Sequence, residues 1–246
     1  MKISERIYIL ASGSLGTGMS HPNDCNVYGI DCGGEFVLID AGVGRETETI
    51  IENLVSDGIE LGQVKHLFLT HGHLDHSGGA AYLRETLKLQ VGASQETARA
   101  VEQGDERSIS LDKAKAAGGY PADFQLRACP IDQLLCDGQR LSLGTCEFEV
   151  IATPGHSHDL LTFWLRTEHA GVLFTGDTLF FGGQILLSNT YDSNVQEYVN
   201  SLRKLERYDF DGLFPGHGLW AVKGGRSHLR TATEALDRLL LPRNFI

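Results

Sequence analysis

Long hydrophobic runs are missing from this 246-residue sequence, although 41% of its residues are hydrophobic. Apolar runs such as Ile7–Ala11 and Val37–Ile39 are far too short to cross a bilayer. No apolar stretch of signal-peptide length follows Lys2 and Arg6 near the N-terminus. The sequence therefore predicts a soluble, cytoplasmic protein without a membrane partner.

Basic residues are also scarce, because 21 Lys and Arg stand against 32 Asp and Glu, and the net charge is −11 with neutral histidines. This charge opposes binding to a nucleic-acid backbone, so we expect no nucleic-acid partner. Only five cysteines occur, and no two of them form a Cys-x-x-Cys pair. Such an odd, scattered set is typical of reduced thiols and excludes a disulfide framework; the five are Cys25, Cys32, Cys129, Cys136 and Cys146.

Strand-like and helix-like segments alternate along the chain, and no linker, repeat or charge block separates them. This mixture indicates layered α/β packing with sheets inside and helices outside. We expect one domain over residues 1–246, with a helical insertion around residues 93–121. The predicted strands are Ile7–Ser12, Asn26–Asp31, Glu35–Asp40, Val64–Thr70, Arg140–Leu143, Cys146–Ala152, Leu161–Arg166, Gly171–Thr175 and Gly212–Pro215. The predicted helices are Thr47–Ser56, Gly79–Leu89, residues 94–118, a helix capped by Asp192 or Ser193, and Arg226–Leu240.

The histidines are concentrated directly after one predicted buried strand, where residues 70–79 read Thr-His-Gly-His-Leu-Asp-His-Ser-Gly-Gly. Three imidazoles and one carboxylate fall within six positions, at His71, His73, Asp75 and His76. Burying these groups unpaired would cost on the order of several kcal/mol, and a core strand needs none of them. Neutral imidazole and carboxylate are ligands that Zn²⁺ and similar ions prefer. The cluster therefore predicts a metal site at a strand end.

Three later residues extend this pattern. His156 lies in Thr-Pro-Gly-His, Asp177 lies in Thr-Gly-Asp-Thr, and His217 lies in Pro-Gly-His-Gly. Each is the first metal-capable side chain after a predicted strand, beside a glycine that lets the backbone approach closely. Together with the first cluster, they indicate a metal centre assembled from several strand ends.

In this order, the motifs His-x-His-x-Asp-His, Pro-Gly-His, Gly-Asp and Pro-Gly-His resemble those of the metallo-β-lactamase superfamily, over roughly residues 26–218. The resemblance implies a four-layered αββα sandwich with metals at the edge between its two sheets. It also implies that Asp40, in Leu-Ile-Asp-Ala-Gly, orients a liganding histidine and fixes its tautomer. The implied ligands are His71, His73 and His156 for one ion, Asp75, His76 and His217 for a second, and Asp177 as a bridge between both.

The implied chemistry is hydrolysis. Two divalent metal ions about 3.5–4 Å apart, Zn²⁺ first and Fe or Mn as alternatives, lower the pKa of a shared water and polarise a substrate oxygen. With Asp75 as the catalytic residue that helps to move the proton, the resemblance predicts a binuclear enzyme using metal-bound hydroxide on an ester, thioester or lactone. The alternative is a mononuclear iron oxygenase, like the persulfide dioxygenases of the same superfamily. The expected partner is a small-molecule substrate, and a homodimer is compatible with the sequence.

Residues beside the implied ligands distinguish branches of the superfamily. The stretch Gly176–Gly183 resembles the corresponding part of glyoxalase II, whereas acyl-homoserine lactonases place a tyrosine where this chain has Phe180, which is therefore a candidate substrate-side residue. Tyr191 is a candidate for that role, with a packed or surface tyrosine as the alternative. His158 and Asp159 depart from the usual His-Thr-x-Gly pattern and are candidate substrate-side residues, with a His158 that only bonds to nearby backbone as the alternative. The helical insertion supplies a lid or substrate wall, or only solvated helix faces. In the first case, its polar residues would meet an acidic substrate; they are Arg107, Lys113, Lys115 and Tyr120.

Overall fold

Two β-sheets and seven α-helices make up the computed structural model, which describes residues 1–167 and 170–246. None of these helices has the length and apolar character needed to cross a membrane. The strands are β1 (Ile7–Ala11), β2 (Val27–Asp31), β3 (Phe36–Ile39), β4 (Val64–Phe68), β5 (Gln90–Ala93), β6 (Gln133–Leu134), β7 (Arg140–Leu143), β8 (Cys146–Ala152), β9 (Leu161–Arg166), β10 (Gly171–Gly176) and β11 (Phe210–Pro215). The helices are α1 (Glu48–Ser56), α2 (Leu74–Ser77), α3 (Ala80–Leu87), α4 (Gln95–Gln103), α5 (Leu111–Ala116), α6 (Val195–Leu205) and α7 (Gly225–Asp237).

The first sheet contains six strands in the order β1–β2–β3–β4–β5–β6. Strands β1, β2 and β3 pair antiparallel, whereas β3 to β6 pair parallel. In β3, Phe36 and Leu38 belong to one buried cluster and Val37 and Ile39 to another, because successive side chains of a strand point to opposite faces. Both faces of this strand are buried, which explains its continuous apolar sequence.

The second sheet contains five strands in the order β11–β10–β9–β8–β7. Strands β8 and β10 each run antiparallel to β9, and β11 runs parallel to β10. The carboxyl ends of β8, β10 and β11 therefore lie at one edge of the sheet. At this edge the amide of Leu161 donates a hydrogen bond to the carbonyl of Thr70, just beyond β4, at 2.7 Å. The strand ends of the two sheets thus meet.

The sheets pack face to face and helices cover their outer faces. Ile39 and Phe68 of the first sheet share one core with Phe163 and Phe174 of the second, and the Phe68 and Phe163 rings stack at 5.6 Å. Helices α1 and α3 pack against the outer face of the first sheet, and α6 and α7 against that of the second. These four layers confirm the predicted αββα sandwich.

Residues 93–121, which we call the helical segment, contain α4 and α5. Helix α4 begins after Ser94, whose hydroxyl accepts a hydrogen bond from the amide of Thr97 at 3.1 Å. Ile109 and Leu111 are buried in a cluster with Leu74 of α2. The helical segment therefore packs on the loop that follows β4, where the first histidines lie.

Some secondary-structure details differ from the prediction. Strands β5 and β6 were not predicted, because each is short and depends on parallel pairing with its neighbours. Helix α6 is capped by Asn194, whose side chain accepts a hydrogen bond from the amide of Glu197 at 3.1 Å. The predicted cap by Asp192 or Ser193 is wrong, because the Asp192 carboxylate is bonded to His73 instead.

Candidate metal centre

Five of the seven predicted ligands lie on loops that follow strand ends, and Asp75 and His76 lie in α2, all at the edge where the two sheets meet. One loop follows β4 and continues into α2, and the others follow β8, β10 and β11. Because the carboxyl ends of these strands lie together, side chains that are distant in sequence become neighbours. The structure brings all seven into one cluster, namely His71, His73, Asp75, His76, His156, Asp177 and His217.

The first group of donors consists of His71, His73 and His156, whose ligand atoms all lie within 4.8 Å of one another. Nδ1 of His156 donates a hydrogen bond to the carbonyl of Leu186 at 2.8 Å, and Nε2 of His73 donates one to Asp192 at 2.9 Å. The other two nitrogens, Nδ1 of His73 and Nε2 of His156, lie 2.9 Å apart, and which of them carries a proton depends on the tautomer of each ring. In neutral rings that donate to Leu186 and Asp192, both of these nitrogens carry a lone pair, which a cation such as Zn²⁺ would bind.

The second group consists of Asp75, His76 and His217. Oδ2 of Asp75 lies 3.1 Å from Nε2 of His217 and 3.7 Å from Nε2 of His76. Asp177 lies between the two groups, with Oδ1 3.4 Å from Nε2 of His76 and Oδ2 3.5 Å from Nε2 of His156. One carboxylate therefore contacts both groups, as expected of a bridging ligand.

Three atoms of the cluster that could bind a metal ion are buried without a hydrogen-bond partner among the described residues. They are Nε2 of His71, Nε2 of His76 and Oδ1 of Asp177. An unsatisfied buried polar atom costs about 1–3 kcal/mol, so such atoms are rare unless a ligand or ion satisfies them. All three belong to one convergent set, and imidazole and carboxylate are ligands of divalent cations. The residues present therefore fit a metal centre.

Asp40 fixes the orientation of one histidine of this cluster through a hydrogen bond. Its Oδ1 accepts a hydrogen bond from the amide of Thr70 at 2.7 Å, and its Oδ2 accepts one from Nδ1 of His76 at 2.8 Å. The bond to His76 leaves Nε2 of that ring free to face the cluster. Asp40 also has a positive φ of 64°, a conformation that aspartate and asparagine tolerate better than most residues. Its position agrees with the orienting role implied by the resemblance.

The charge states of three of the predicted ligands, His71, Asp75 and Asp177, suit metal binding. Burial lowers the pKa of His71 well below its ordinary value, and neighbouring imidazoles add to this effect. Burial alone would raise the pKa of Asp177, but His217 and His76 outweigh it and lower that pKa. The same histidines outweigh burial at Asp75 and lower its pKa as well. Near pH 7, His71 is therefore neutral and both carboxylates are ionised, which are the forms that bind metal ions.

Gly216 allows two ligands to approach the backbone. A Cβ atom at this position would overlap Oδ1 of Asp177 and lie 2.6 Å from Cε1 of His76. Only glycine therefore fits between these side chains without displacing them. The glycine in the Pro-Gly-His motif is explained by contact with the cluster.

The predicted substrate-side residues have different surroundings. Asp159 accepts hydrogen bonds from the amide of Gly72 at 2.9 Å and the hydroxyl of Thr97 at 2.6 Å, so it joins the metal-binding loop to α4. The exposed His158 lies 3.1 Å from Glu197. Tyr191 is 48% exposed. Together with Asp192, these three residues line a cavity of about 430 Å³, whose other wall is the helical segment.

Phe180 does not reach that cavity. Its ring is fully buried, stacks on Phe245 with 4.7 Å between ring centroids, and lies 6.5 Å from the ring of His217. The ring of Phe180 thus packs beside His217 and does not line this cavity, and its substrate-side role stays a prediction.

The polar residues of the helical segment contact one another, the ring of Tyr191, or the metal centre. Lys115 pairs with Glu106 at 2.6 Å. The side chains of Arg107 and Lys113 lie over the ring of Tyr191, at 5.8 and 4.0 Å from its centroid. The Tyr120 hydroxyl faces the Asp75 carboxylate, and burial together with this carboxylate raises the pKa of Tyr120 well above its usual range. The segment thus contributes a wall beside the metal-binding loop.

Two residues of the centre were not assigned to it from the sequence. Asp192 was considered only as a helix cap, yet it is bonded to His73. Thr70 bonds to Asp40 through both its amide and its hydroxyl. The threonine directly precedes the histidine motif, which is a usable signal, whereas no local pattern marks Asp192.

Comparison with known proteins agrees with this geometry. The family model described as the metallo-β-lactamase superfamily matches residues 22–217, which is most of the chain. The chain belongs to the metallo-β-lactamase superfamily. This superfamily is generally metal-dependent, in agreement with the candidate ligand groups.

Curated members of the superfamily include hydrolases similar to this chain. An atrochrysone carboxyl ACP thioesterase of Aspergillus fumigatus is 29% identical over 217 residues, covering 88% of this chain and 57% of the relative. A hydroxyacylglutathione hydrolase of Rhodospirillum rubrum is 29% identical over 155 residues, covering 63% of this chain and 48% of the relative. The chain therefore spans about half the length of these relatives.

Solved structures of the superfamily share the fold. A metallo-β-lactamase family protein from Thermus thermophilus has a TM-score of 0.70 and 23% identity, covering 95% of this chain and 80% of its own. A metallo-β-lactamase from Cronobacter sakazakii has a TM-score of 0.69 and 20% identity, covering 97% and 86%. At this level of identity the likeness concerns the fold alone.

Proposed function

We propose that this protein is a binuclear metal-dependent hydrolase that cleaves thioesters. The observation that carries the proposal is the convergence of two ligand groups around Asp177, with three buried ligand atoms that have no hydrogen-bond partner in the described part of the chain. Zn²⁺ suits these imidazole and carboxylate ligands, with Fe and Mn as alternatives. The first ion would be held by His71, His73 and His156, the second by Asp75, His76 and His217, and both by Asp177.

When bound, a pair of divalent cations activates a water molecule and polarises the carbonyl group under attack. Within the protein, Asp75 is the group that can take the proton of the attacking water. Its side chain is 17% exposed, compared with 0% for His76 and 2% for Asp177, so it is the more accessible to solvent. Its lowered pKa keeps it ionised, and His217 at 3.1 Å orients it.

The protonation states favour a thioester over an amide. Asp75 and Asp177 are ionised and His71 is neutral before the attack, so the only proton that these three residues can pass to a leaving group near pH 7 is the one that Asp75 takes from the water. A thiol has a pKa of about 8.5, so it leaves as a thiolate without being protonated. The names of the Aspergillus and Rhodospirillum relatives, a thioesterase and a hydroxyacylglutathione hydrolase, support the same substrate class.

The experiment that tests this proposal combines elemental analysis with a matched substrate panel. We would compare an acyl thioester, an oxygen ester and a lactone, and measure thiol or acid release with and without a chelator. We expect two metal ions per chain and the highest kcat/KM for the thioester. Asp177→Ala should lose at least one ion and about 100-fold or more in kcat/KM, whereas Asp209→Ala, which removes an exposed carboxylate, should match the wild type.

Two results would overturn the proposal. A single iron per chain with oxygen consumption and no thiol release would favour the oxygenase alternative. A two-metal protein that hydrolyses the ester or lactone but not the thioester would refute the substrate class and retain the hydrolase.

A further inference from the structure

Asp192 is a buried carboxylate that contacts the first donor group from outside. It lies in the loop before α6 and is 8% exposed. Its Oδ2 accepts a hydrogen bond from Nε2 of His73 at 2.9 Å, and its Oδ1 accepts one from the hydroxyl of Ser110 at 3.0 Å. One oxygen is therefore bonded to the metal centre and the other to the helical segment.

Ser110 is fixed within the helical segment. It directly precedes α5, has a positive φ of 55°, and is buried. Its hydroxyl oxygen also accepts a hydrogen bond from the amide of Tyr191 at 3.2 Å. Its neighbours Ile109 and Leu111 pack in the cluster that contains Leu74, the residue after His73. Ser110 thus joins the helical segment to the loop of Asp192 at two points.

Asp192 and Asp40 act on two histidines through opposite ring nitrogens. Asp40 accepts a hydrogen bond from Nδ1 of His76 and leaves its Nε2 for a cation, whereas Asp192 accepts one from Nε2 of His73 and leaves its Nδ1. A histidine that donates one ring N–H to a carboxylate has a fixed tautomer and ring orientation. Without Asp192, the proton of His73 is free to move to Nδ1, and that nitrogen then no longer binds a metal ion.

We propose that Ser110 and Asp192 are positioning residues: the docked helical segment holds Asp192, and Asp192 holds His73 with Nδ1 directed at the first cation. This inference rests on the metal site of the proposed function. The helical segment also lines the cavity through Arg99 and Gln103 of α4. The packing of that wall and the affinity for the first cation are therefore coupled.

The test is a competition titration of Zn²⁺ against a coloured chelator, applied to wild type, Asp192→Ala, Asp192→Asn and Ser110→Ala. Asp192→Ala should weaken one of the two binding steps about 10- to 100-fold. Asparagine keeps an oxygen that accepts the His73 hydrogen bond, and the Ser110 hydroxyl can rotate to accept from its NH₂ group. Asp192→Asn should therefore recover most of the loss.

Ser110→Ala tests the same chain of hydrogen bonds, from Ser110 through Asp192 to His73, at a second residue. It should weaken the same binding step less than Asp192→Ala does, and it should add nothing when combined with Asp192→Ala, because both residues act through one path. The absorption spectrum of the Co²⁺-substituted protein should change in Asp192→Ala and remain close to wild type in Asp192→Asn. Asp209→Asn, which changes an exposed carboxylate outside the helical segment, should bind both ions like the wild type.

Thermal unfolding of the metal-free variants separates a folding defect from a change in the site. Wild-type affinity in Asp192→Ala, or a loss in Asp192→Asn as large as in Asp192→Ala, would overturn the proposal. If Asp192→Ala does not fold, a wild-type titration of Ser110→Ala would also overturn it. A wild-type protein that binds no metal ions would instead refute the proposed function itself.

Discussion

Asp40→Asn tests whether one buried carboxylate sets the tautomer of His76. In the wild type, one oxygen of Asp40 accepts from the amide of Thr70 at 2.7 Å and the other from Nδ1 of His76 at 2.8 Å. Asparagine offers one oxygen and one NH₂ group, so one of these donors must face another donor in either amide orientation. The alternative is that His76 moves its proton to Nε2, the nitrogen that faces the cluster, and then cannot bind a cation there.

The size of this effect follows from the same contacts. A buried donor without an acceptor costs about 1–3 kcal/mol, which we expect as a loss in the free energy of unfolding of the metal-free protein. Loss of the partner that orients a liganding histidine lowers metal affinity about 10- to 100-fold, or about 1.4–2.7 kcal/mol. Since asparagine tolerates a positive φ, the backbone at this position adds little to either loss.

Urea denaturation in the presence of a chelator measures the first loss, and a competition titration with Zn²⁺ measures the second. Asp209→Asn, at an exposed position, is the matched control and should leave both quantities unchanged. Asp40→Asn with wild-type affinity for both ions would refute the argument, because His76 would then be oriented without its carboxylate.

Two further predictions concern the same cluster. Gly216→Ala should lower metal affinity about 10-fold or more by displacing Asp177 and His76, whereas Gly62→Ala, with open space around its Cβ, should titrate like the wild type. Burial lowers the pKa of His76, but the negative groups around it outweigh burial and raise that pKa well above its ordinary value. The ring must then release a proton to bind a cation, so affinity should fall as the pH is lowered. Calorimetric titration near pH 7 in two buffers of different ionisation enthalpy measures this release, and equal heats in both buffers would contradict it.

The fold was predictable where a local pattern determines the structure. The continuous apolar run Phe36–Ile39 and the apolar residues Val64, Leu67 and Phe68 mark buried strands, and both strands form within the predicted ranges Glu35–Asp40 and Val64–Thr70. Strand Gln90–Ala93 was missed, because its four residues follow a helix closely and its hydrogen-bond partners lie on β4 and β6. The packing of Phe180 was not predictable for a related reason, since its packing partner Phe245 lies far along the chain.

The metal centre was predictable to the extent that its donors follow strand ends in recognisable motifs. The relation of Asp192 to His73 was not, because the two residues are separated by 119 positions and meet only after both sheets and the helical segment have packed. An aspartate before a helix is also typical of a cap. Contacts of this kind depend on the tertiary structure, so neither residue type nor spacing indicates them.

Hydrogen bonds within the protein fix the positions of the predicted metal ligands and of the residues that support them. Thr70 is bonded to Asp40, His156 to the carbonyl of Leu186, and the hydroxyl of Tyr198 to the carbonyl of Asp177. The site is thus preorganised, and little conformational entropy remains to be lost when a cation arrives. Unlike a zinc finger, whose fold depends on its ion, this sandwich should survive dialysis against a chelator and regain its ions without refolding.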